Sequence, residues 1–226
     1  MSVLEADSVS RTYAQSTARV NALRPVSLRV EAGEFLAVTG PSGSGKSTLL
    51  NLLSGLDTPS GGAVRFDGRT LSSLQEPDLA ILRNRSFGFI FQTPHVLPYK
   101  TVAENVALPF HYGGRSTDRK QIKRRVESLL EYVGLAAQKD RSPSTLSGGE
   151  LQRVVFARAM VGEPGVIFAD EPTGSLDAEN SKRLLELLKE QASLGKMVIM
   201  ASHDRTAVSY ATGHCVLDKF NRVATQ

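Results

Sequence analysis

The stretch Gly40-Pro41-Ser42-Gly43-Ser44-Gly45-Lys46-Ser47 decides the fold of this chain. It follows the apolar run Phe35-Leu36-Ala37-Val38 and leads into Thr48-Leu49-Leu50-Asn51-Leu52-Leu53, so a buried strand enters a glycine-rich loop that opens a helix. That is the context the GxxxxGK[ST] pattern requires. Glycines reach backbone angles closed to other residues, which lets consecutive N–H groups turn inward around phosphate oxygens. The helix beginning near Gly45 adds the positive end of its dipole. In such a cradle, formed by Gly40 to Gly45, Lys46 is placed for the β- and γ-phosphates and the Ser47 hydroxyl for Mg²⁺, while Thr48 can donate one more hydrogen bond. By composition, a chain of this length matches the pattern by accident on the order of one time in a hundred. The loop establishes nucleotide binding and leaves the reaction open, because GTPases and small-molecule kinases share it. No NKxD sequence occurs, which weighs against guanine.

A second element narrows the reaction. Val166-Ile167-Phe168-Ala169 is an apolar strand ending in Asp170-Glu171, and ligands of open parallel sheets bind at strand carboxyl ends. Asp170 is placed to hold Mg²⁺ through its water shell, since this ion keeps several waters and uses few carboxylates. Glu171 is placed to polarise the attacking water as a general base.

Working outward, residues 3–38 alternate, as in Val26-Ser27-Leu28-Arg29-Val30, and read as antiparallel strands and turns. From about residue 93 to 160 the pattern turns helical, with Pro94, Pro98 and Pro109 at its entry. The last third returns to strand, helix, strand over Val166–Ala169, Glu179–Leu194 and Met197–Ala201. A parallel-sheet core interrupted by a helical insertion follows from this order. The expected division is one domain over 1–226, with 1–92 and 161–226 as the catalytic core and β subdomain and about 93–160 as the helical subdomain.

Composition fits a globular chain, with 41% hydrophobic and 22% charged residues among 226. The one cysteine, Cys215, cannot close an intramolecular disulfide, and MSVLEADS lacks the basic and apolar regions of a secretion signal, so a cytoplasmic setting is expected. No apolar run approaches the ~18 residues needed to cross a bilayer, and any membrane role would need a partner. Arg115, Arg119, Lys120, Lys123, Arg124 and Arg125 crowd one stretch of a chain with net charge +4. Ile122, Val126, Leu129, Leu130 and Val133 recur there at helical spacing, so the cations are expected on a solvated helix face rather than on nucleic acid. The end of the chain soon after His203 leaves the expectation that no regulatory domain is appended.

At Leu146-Ser147-Gly148-Gly149-Glu150-Leu151-Gln152-Arg153 the chain resembles the LSGGQ-type signature of ABC ATPases. Physically, Ser147 and the glycines stand ahead of a helix expected over Leu151–Met160 and offer hydroxyl, amides and a helix terminus to an anion. The resemblance implies an α/β P-loop NTPase (RecA-like) parallel-sheet core with an N-terminal antiparallel β subdomain and an inserted α-helical subdomain. It also implies a head-to-tail homodimer in which Ser147, Gly148 and Gly149 of one subunit meet the γ-phosphate of ATP on the other. Glu150 stands where glutamine is commonest, and an acid near a phosphate is unhelpful. By the same resemblance Tyr13 stacks on adenine and Gln92 approaches Mg²⁺ and the attacking water. Asp177, in Ser175-Leu176-Asp177, lies along the dimer seam and can cap the next helix. His203 is the switch histidine that contacts the γ-phosphate and orients Glu171.

Linking stretches narrow the resemblance: Gly55-Leu56-Asp57-Thr58-Pro59, Phe87-Gly88-Phe89-Ile90-Phe91-Gln92, Glu104-Asn105-Val106 and Ala169 to Asp177 look like the MacB/LolD/FtsE branch. That branch implies an ATPase on the cytoplasmic face of the membrane driving a permease, for lipoprotein release or for efflux of peptides or drugs. Two rivals stand beside it: an FtsE-like mechanotransmission ATPase that moves no substrate, and a soluble ABC ATPase of translation or DNA repair. The second usually carries two cassettes or a long coiled-coil insertion, and neither is present in this sequence. A non-hydrolysing nucleotide sensor fits poorly, because Lys46, Asp170, Glu171 and His203 are all retained.

Overall fold

A computed structural model of the chain describes residues 2–15, 18–112, 118–218 and 223–225. Arg115 of the basic stretch and residues 219–222 lie outside them. Strands β1 (Val3–Gln15) and β2 (Ala18–Glu31) form a long antiparallel hairpin, and β4 (Gly61–Phe66) and β5 (Arg69–Thr70) extend it into a four-stranded sheet in the order β2-β1-β4-β5. The alternation read in the sequence is its cause: Val26, Leu28 and Val30 face inward, and Ser27 and Arg29 are exposed.

The second sheet has six strands in the order β10-β9-β3-β8-β7-β6. Its members are β3 (Phe35–Thr39), β6 (Phe87–Phe91), β7 (Val166–Asp170), β8 (Met197–Ala201), β9 (Gly213–Leu217) and β10 (Val223–Thr225). The pairs joining β9, β3, β8, β7 and β6 are all parallel, and only β10 runs antiparallel to its neighbour. The near-continuous apolar runs of β7 and β8 reflect burial on both faces. Val166 and Phe168, with Met197, Ile199 and Ala201, join one core with the antiparallel sheet and helix α1 (Lys46–Leu53). Ile167 and Ala169, with Val198 and Met200, join the other.

That second core is capped by α3 (Val102–Ala107), α4 (Arg119–Tyr132), α5 (Gly148–Met160) and α6 (Ala178–Ser193). On α4 the expected face is buried through Val126, Leu129 and Leu130, while Lys120, Lys123 and Arg124 are exposed and Arg125 pairs with Glu163 at 3.1 Å. Helix α7 (Arg205–Val208) follows β8. One helix escaped the sequence reading: α2 (Glu76–Ser86) precedes β6, within the stretch taken as core and strands. It buries no residue fully, and only Leu79 and Leu82 pack against the core, a stripe of one turn that is too short to reveal it.

Candidate functional site

Parallel strands in register bring their carboxyl ends to one edge. Phe91 of β6 stands opposite Asp170 of β7, and Asp170 opposite Ala201 of β8, which in turn faces Val38 of β3. The residues that follow these ends are the phosphate loop, Gln92, Glu171 and His203. Their convergence is a product of topology rather than of sequence proximity.

The loop wraps around its own lysine. Lys46 Nζ donates to the carbonyl oxygens of Gly40 (2.9 Å) and Pro41 (3.1 Å). Gly40 is obligatory twice over: its φ of 147° favours glycine, and a Cβ there would stand 2.1 Å from the Leu217 carbonyl oxygen. Gly45, left-handed at φ 95°, turns the chain into α1. Pro41, Ser42, Gly43 and Ser47 are exposed, Thr48 is half-buried, and Ser44 is buried with a hydroxyl that finds no partner in the protein.

Across from the loop, Asp170 faces the Ser47 hydroxyl. Burial pushes the Asp170 carboxyl above the usual range, opposed by the Ser47 hydroxyl and by Lys46, and its Oδ1 is buried with no partner in the protein. An unpartnered acid oxygen beside a serine hydroxyl suits the hydration shell of a hard cation. Among the described residues no cluster of three His, Cys, Asp or Glu could hold a metal alone, so the ion would arrive with phosphate oxygens.

Glu171 occupies the left-handed region at φ 46°, uncommon for a long side chain and typical of strain kept at functional sites. Its N–H donates to Ala201 O (2.9 Å), and Gly174 N–H closes the turn onto its carbonyl (3.1 Å). The carboxylate is 2.9 Å from His203 Nδ1 and 3.9 Å from Lys46 Nζ. A half-buried acid held between an imidazole and an ammonium, next to a phosphate cradle, can take a proton from a water in line with a phosphate. Gln92 lies against the same turn: a Cβ on Gly174 would come 2.9 Å from its Nε2.

The remaining expected site residues, Tyr13, Ser147, Gly148, Gly149 and Asp177, stand apart from this group. Tyr13 Oη donates to Asp57 Oδ2 (2.7 Å), which raises its pKa, and Arg11 lies over the ring at 4.6 Å from its centroid while pairing with Asp57 at 2.7 Å. Ser147 caps α5, which begins at Gly148, three residues earlier than the sequence suggested. The reason is a capping box: Ser147 N–H donates to Glu150 Oε2 (2.8 Å), and Glu150 N–H donates back to Ser147 Oγ (3.3 Å). The Ser147 hydroxyl also donates to that carboxylate at 2.8 Å. The backbone N–H of Ser147 holds the Glu150 carboxyl below the usual range, so the departure from glutamine has a structural function. Gly149 is buried, and a Cβ there would fall 2.2 Å from Asn180 Oδ1. Asn180 accepts from Arg153 (2.8 Å) and donates to Asp177, whose other oxygen caps α6. Hence Asp177 and the signature segment share one network.

Sequence reasoning missed Gln152 and Arg158, which tie α5 to the Gln92 loop. The available signal was a glutamine inside the stripe Gln152, Val155, Phe156, Ala159 of a buried helix face.

A phosphate cradle, a metal-suited acid and a poised base at the carboxyl edge of a parallel sheet define a phosphate-loop nucleotide hydrolase. The family model described as ABC transporter matches residues 23–174, and the chain belongs to that family as an ATP-binding, ABC-type ATPase. An uncharacterised ABC transporter ATP-binding protein of Methanocaldococcus jannaschii is 42% identical, over 93% of both chains. The macrolide export ATP-binding/permease protein MacB of Chlorobium luteolum is 44% identical over 92% of this chain, but the match spans only 31% of that longer protein. The pyoverdine export ATP-binding/permease protein PvdT of Pseudomonas putida is 46% identical over 86% of this chain and 30% of its own length. Among solved structures, a dimeric ATP-binding cassette in a post-hydrolysis state with ADP and Pi superposes with a TM-score of 0.89 at 32% identity, over 98% of each chain.

Proposed function

We propose that this chain hydrolyses ATP as a head-to-tail homodimer and drives a MacB-like permease from the cytoplasmic face of a membrane. The single observation that carries the hydrolytic part is Glu171, fixed in a left-handed turn with His203 at 2.9 Å and Lys46 at 3.9 Å. Lys46 and the loop amides would hold the β- and γ-phosphates, and Ser47 and Asp170, with Gln92 nearby, would hold Mg²⁺. When bound, that ion neutralises charge developing on the transferred phosphoryl group. Glu171 accepts the proton of the attacking water; His203 orients it and contacts the γ-phosphate. The products are ADP and inorganic phosphate.

The dimer reading rests on Ser147 and Gly148, which are exposed and touch none of these groups within the chain. They suit a nucleotide held by a second copy, with Asp177 along the seam. Tyr13, steadied by Arg11 and Asp57, presents its ring to adenine.

The permease reading rests on a groove of about 720 Å³ that runs beside β6 up to Phe91, the residue before Gln92, and is lined also by Ile81, Phe89, Tyr112, Arg158 and Pro164. Ile81 and Tyr112 are exposed apolar groups there, and a cytoplasmic helix of a permease would cover them. Among the described residues no helix is long and apolar enough to cross a membrane, so the coupling needs such a partner. The similar proteins named for macrolide and pyoverdine export support efflux as the work done. Lipoprotein release and mechanotransmission use the same cassette and stand as alternatives.

Glu171→Gln tests the hydrolytic core. Phosphate release should fall by about 10²–10⁴-fold, the usual contribution of a general base, with ATP still bound and an ATP-dependent dimer accumulating on a sizing column. Turnover at the wild-type rate would remove Glu171 from the role of base. Crosslinks from the copurified permease that avoid the groove would remove the docking site.

A further inference from the structure

Helix α5 carries the signature glycines at one end and, further on, a side chain that reaches into the core between two catalytic loops. Gln152 is 1% exposed. Its Nε2 donates to the carbonyl oxygens of Phe91 and Pro172, each at 2.9 Å. Phe91 is the last residue of β6, immediately before Gln92, and Pro172 immediately follows Glu171. One amide group therefore fastens together the backbones next to Gln92 and Glu171.

The bonding is lopsided in an informative way. The Gln152 Oε1 is buried without a hydrogen-bond partner in the protein. An apolar side chain of similar volume would fill this space without an orphaned acceptor, so packing alone does not account for a glutamine. The two N–H donors do, because the accepting carbonyls sit where the chain leaves the sheet, one on the last residue of β6 and one two residues past β7. Farther along α5, Arg158 donates to Pro94 O (2.9 Å) and His95 O (2.8 Å). Gln92 and Thr93 are thus bracketed on both sides by bonds to one helix. Gln152 follows Ser147 by five positions, a rise of about 7.5 Å along a rigid helix.

We propose that Gln152 is a positioning residue for ATP hydrolysis: its amide locks the Gln92 and Glu171 backbones to the signature helix, so engagement at Ser147 sets the geometry of the base. This rests on the reading of Glu171 as base and Gln92 as its neighbour at the phosphate.

Gln152→Glu separates this role from packing. The replacement has the same size; its neutral acid can donate one O–H bond, and its ionised form faces two carbonyl oxygens with no donor. Burial raises the pKa of such an acid, so activity should be lost as pH rises through it. ATPase rates of the full chain at pH 6 to 8.5 should show kcat of the variant falling at least tenfold more than that of the wild type, with KM for ATP changed less than threefold. Gln152→Leu should lower kcat at least tenfold at every pH and leave the melting transition cooperative. If Gln152→Leu does not fold, the Gln152→Glu profile decides alone. A variant profile parallel to wild type, or a defect confined to KM, would overturn the proposal. Glu171→Gln run alongside keeps the two readings distinct: its retained turnover would remove the base, whereas its loss beside an unaffected Gln152→Glu would remove only the clamp.

Discussion

Two glycine- and serine-rich segments of this molecule each precede a helix, and they are built in opposite ways. The phosphate loop is closed on itself: Lys46 is buried and bonded to Gly40 and Pro41, and the loop faces Asp170, Glu171 and His203 across the sheet edge. The signature segment is open. Ser147 and Gly148 are exposed, and the contacts of Ser147 stay within its own helix turn, through Glu150. Under the proposed composite site, the first is preorganised for phosphate within one chain, and the second is kept folded by its own cap until a second subunit engages it.

The sharpest way to break this comparison is Ser147→Arg. A bulky cation at an exposed cap should spare ATP binding to the single chain, measured with a fluorescent nucleotide, yet cut hydrolysis by at least 100-fold, the scale of losing oriented phosphate contacts. Retained hydrolysis by a homodimer of the variant would show that the two segments do not form one site.

The two glycine sets should also separate by stability. Gly40→Ala forces a Cβ into the Leu217 carbonyl from a backbone angle that favours glycine. It should cost about 2–4 kcal/mol, combining overpacking with backbone strain, a fall of roughly 6–12 °C in a thermal melt. A Cβ on Gly148 meets nothing within 4 Å. Gly148→Ala should therefore melt within about 1 kcal/mol of wild type, or slightly above it, and any harm it does should appear only in ATP-driven dimer formation. Equal melting losses in the two variants would contradict the contrast.

Much of the site was legible because its chemistry is written in contiguous runs. Gly40 to Ser47, Asp170-Glu171 and Ser147 to Gly149 each announce a turn, a charge or a helix terminus. What stayed hidden depends on contacts across long sequence separations. Gln152 reaches Phe91 across 61 residues, and Asn180 explains Gly149 only once α6 is packed beside α5. Helix α2 stayed hidden for another reason, since only Leu79 and Leu82 pack inward and none of its residues is fully buried. Glu150 reads in the sequence as an acid near a phosphate, and the structure adds its bonds to the backbone and hydroxyl of Ser147.

Glu150 also carries the smallest expected effect. Its carboxyl is held below the usual range by the Ser147 N–H, so the cap it forms is complete above the ordinary glutamate value and is lost as pH falls through the lowered one. Glu150→Gln keeps an oxygen acceptor for the Ser147 N–H and removes the negative charge. Helix α5 should lose only the charge–dipole part of the cap, about 0.3–1 kcal/mol, and the acid-side loss of stability should flatten. The Ser147 hydroxyl, which now donates to the carboxylate at 2.8 Å, would be freer to turn toward a γ-phosphate. The ATP concentration needed for dimer formation should then fall by about two- to fivefold, as expected when one like charge is removed near a partly exposed phosphate. An unchanged requirement for ATP would mean that the carboxylate is screened by its own cap, and that the open segment is as well adapted to its ligand as the closed one.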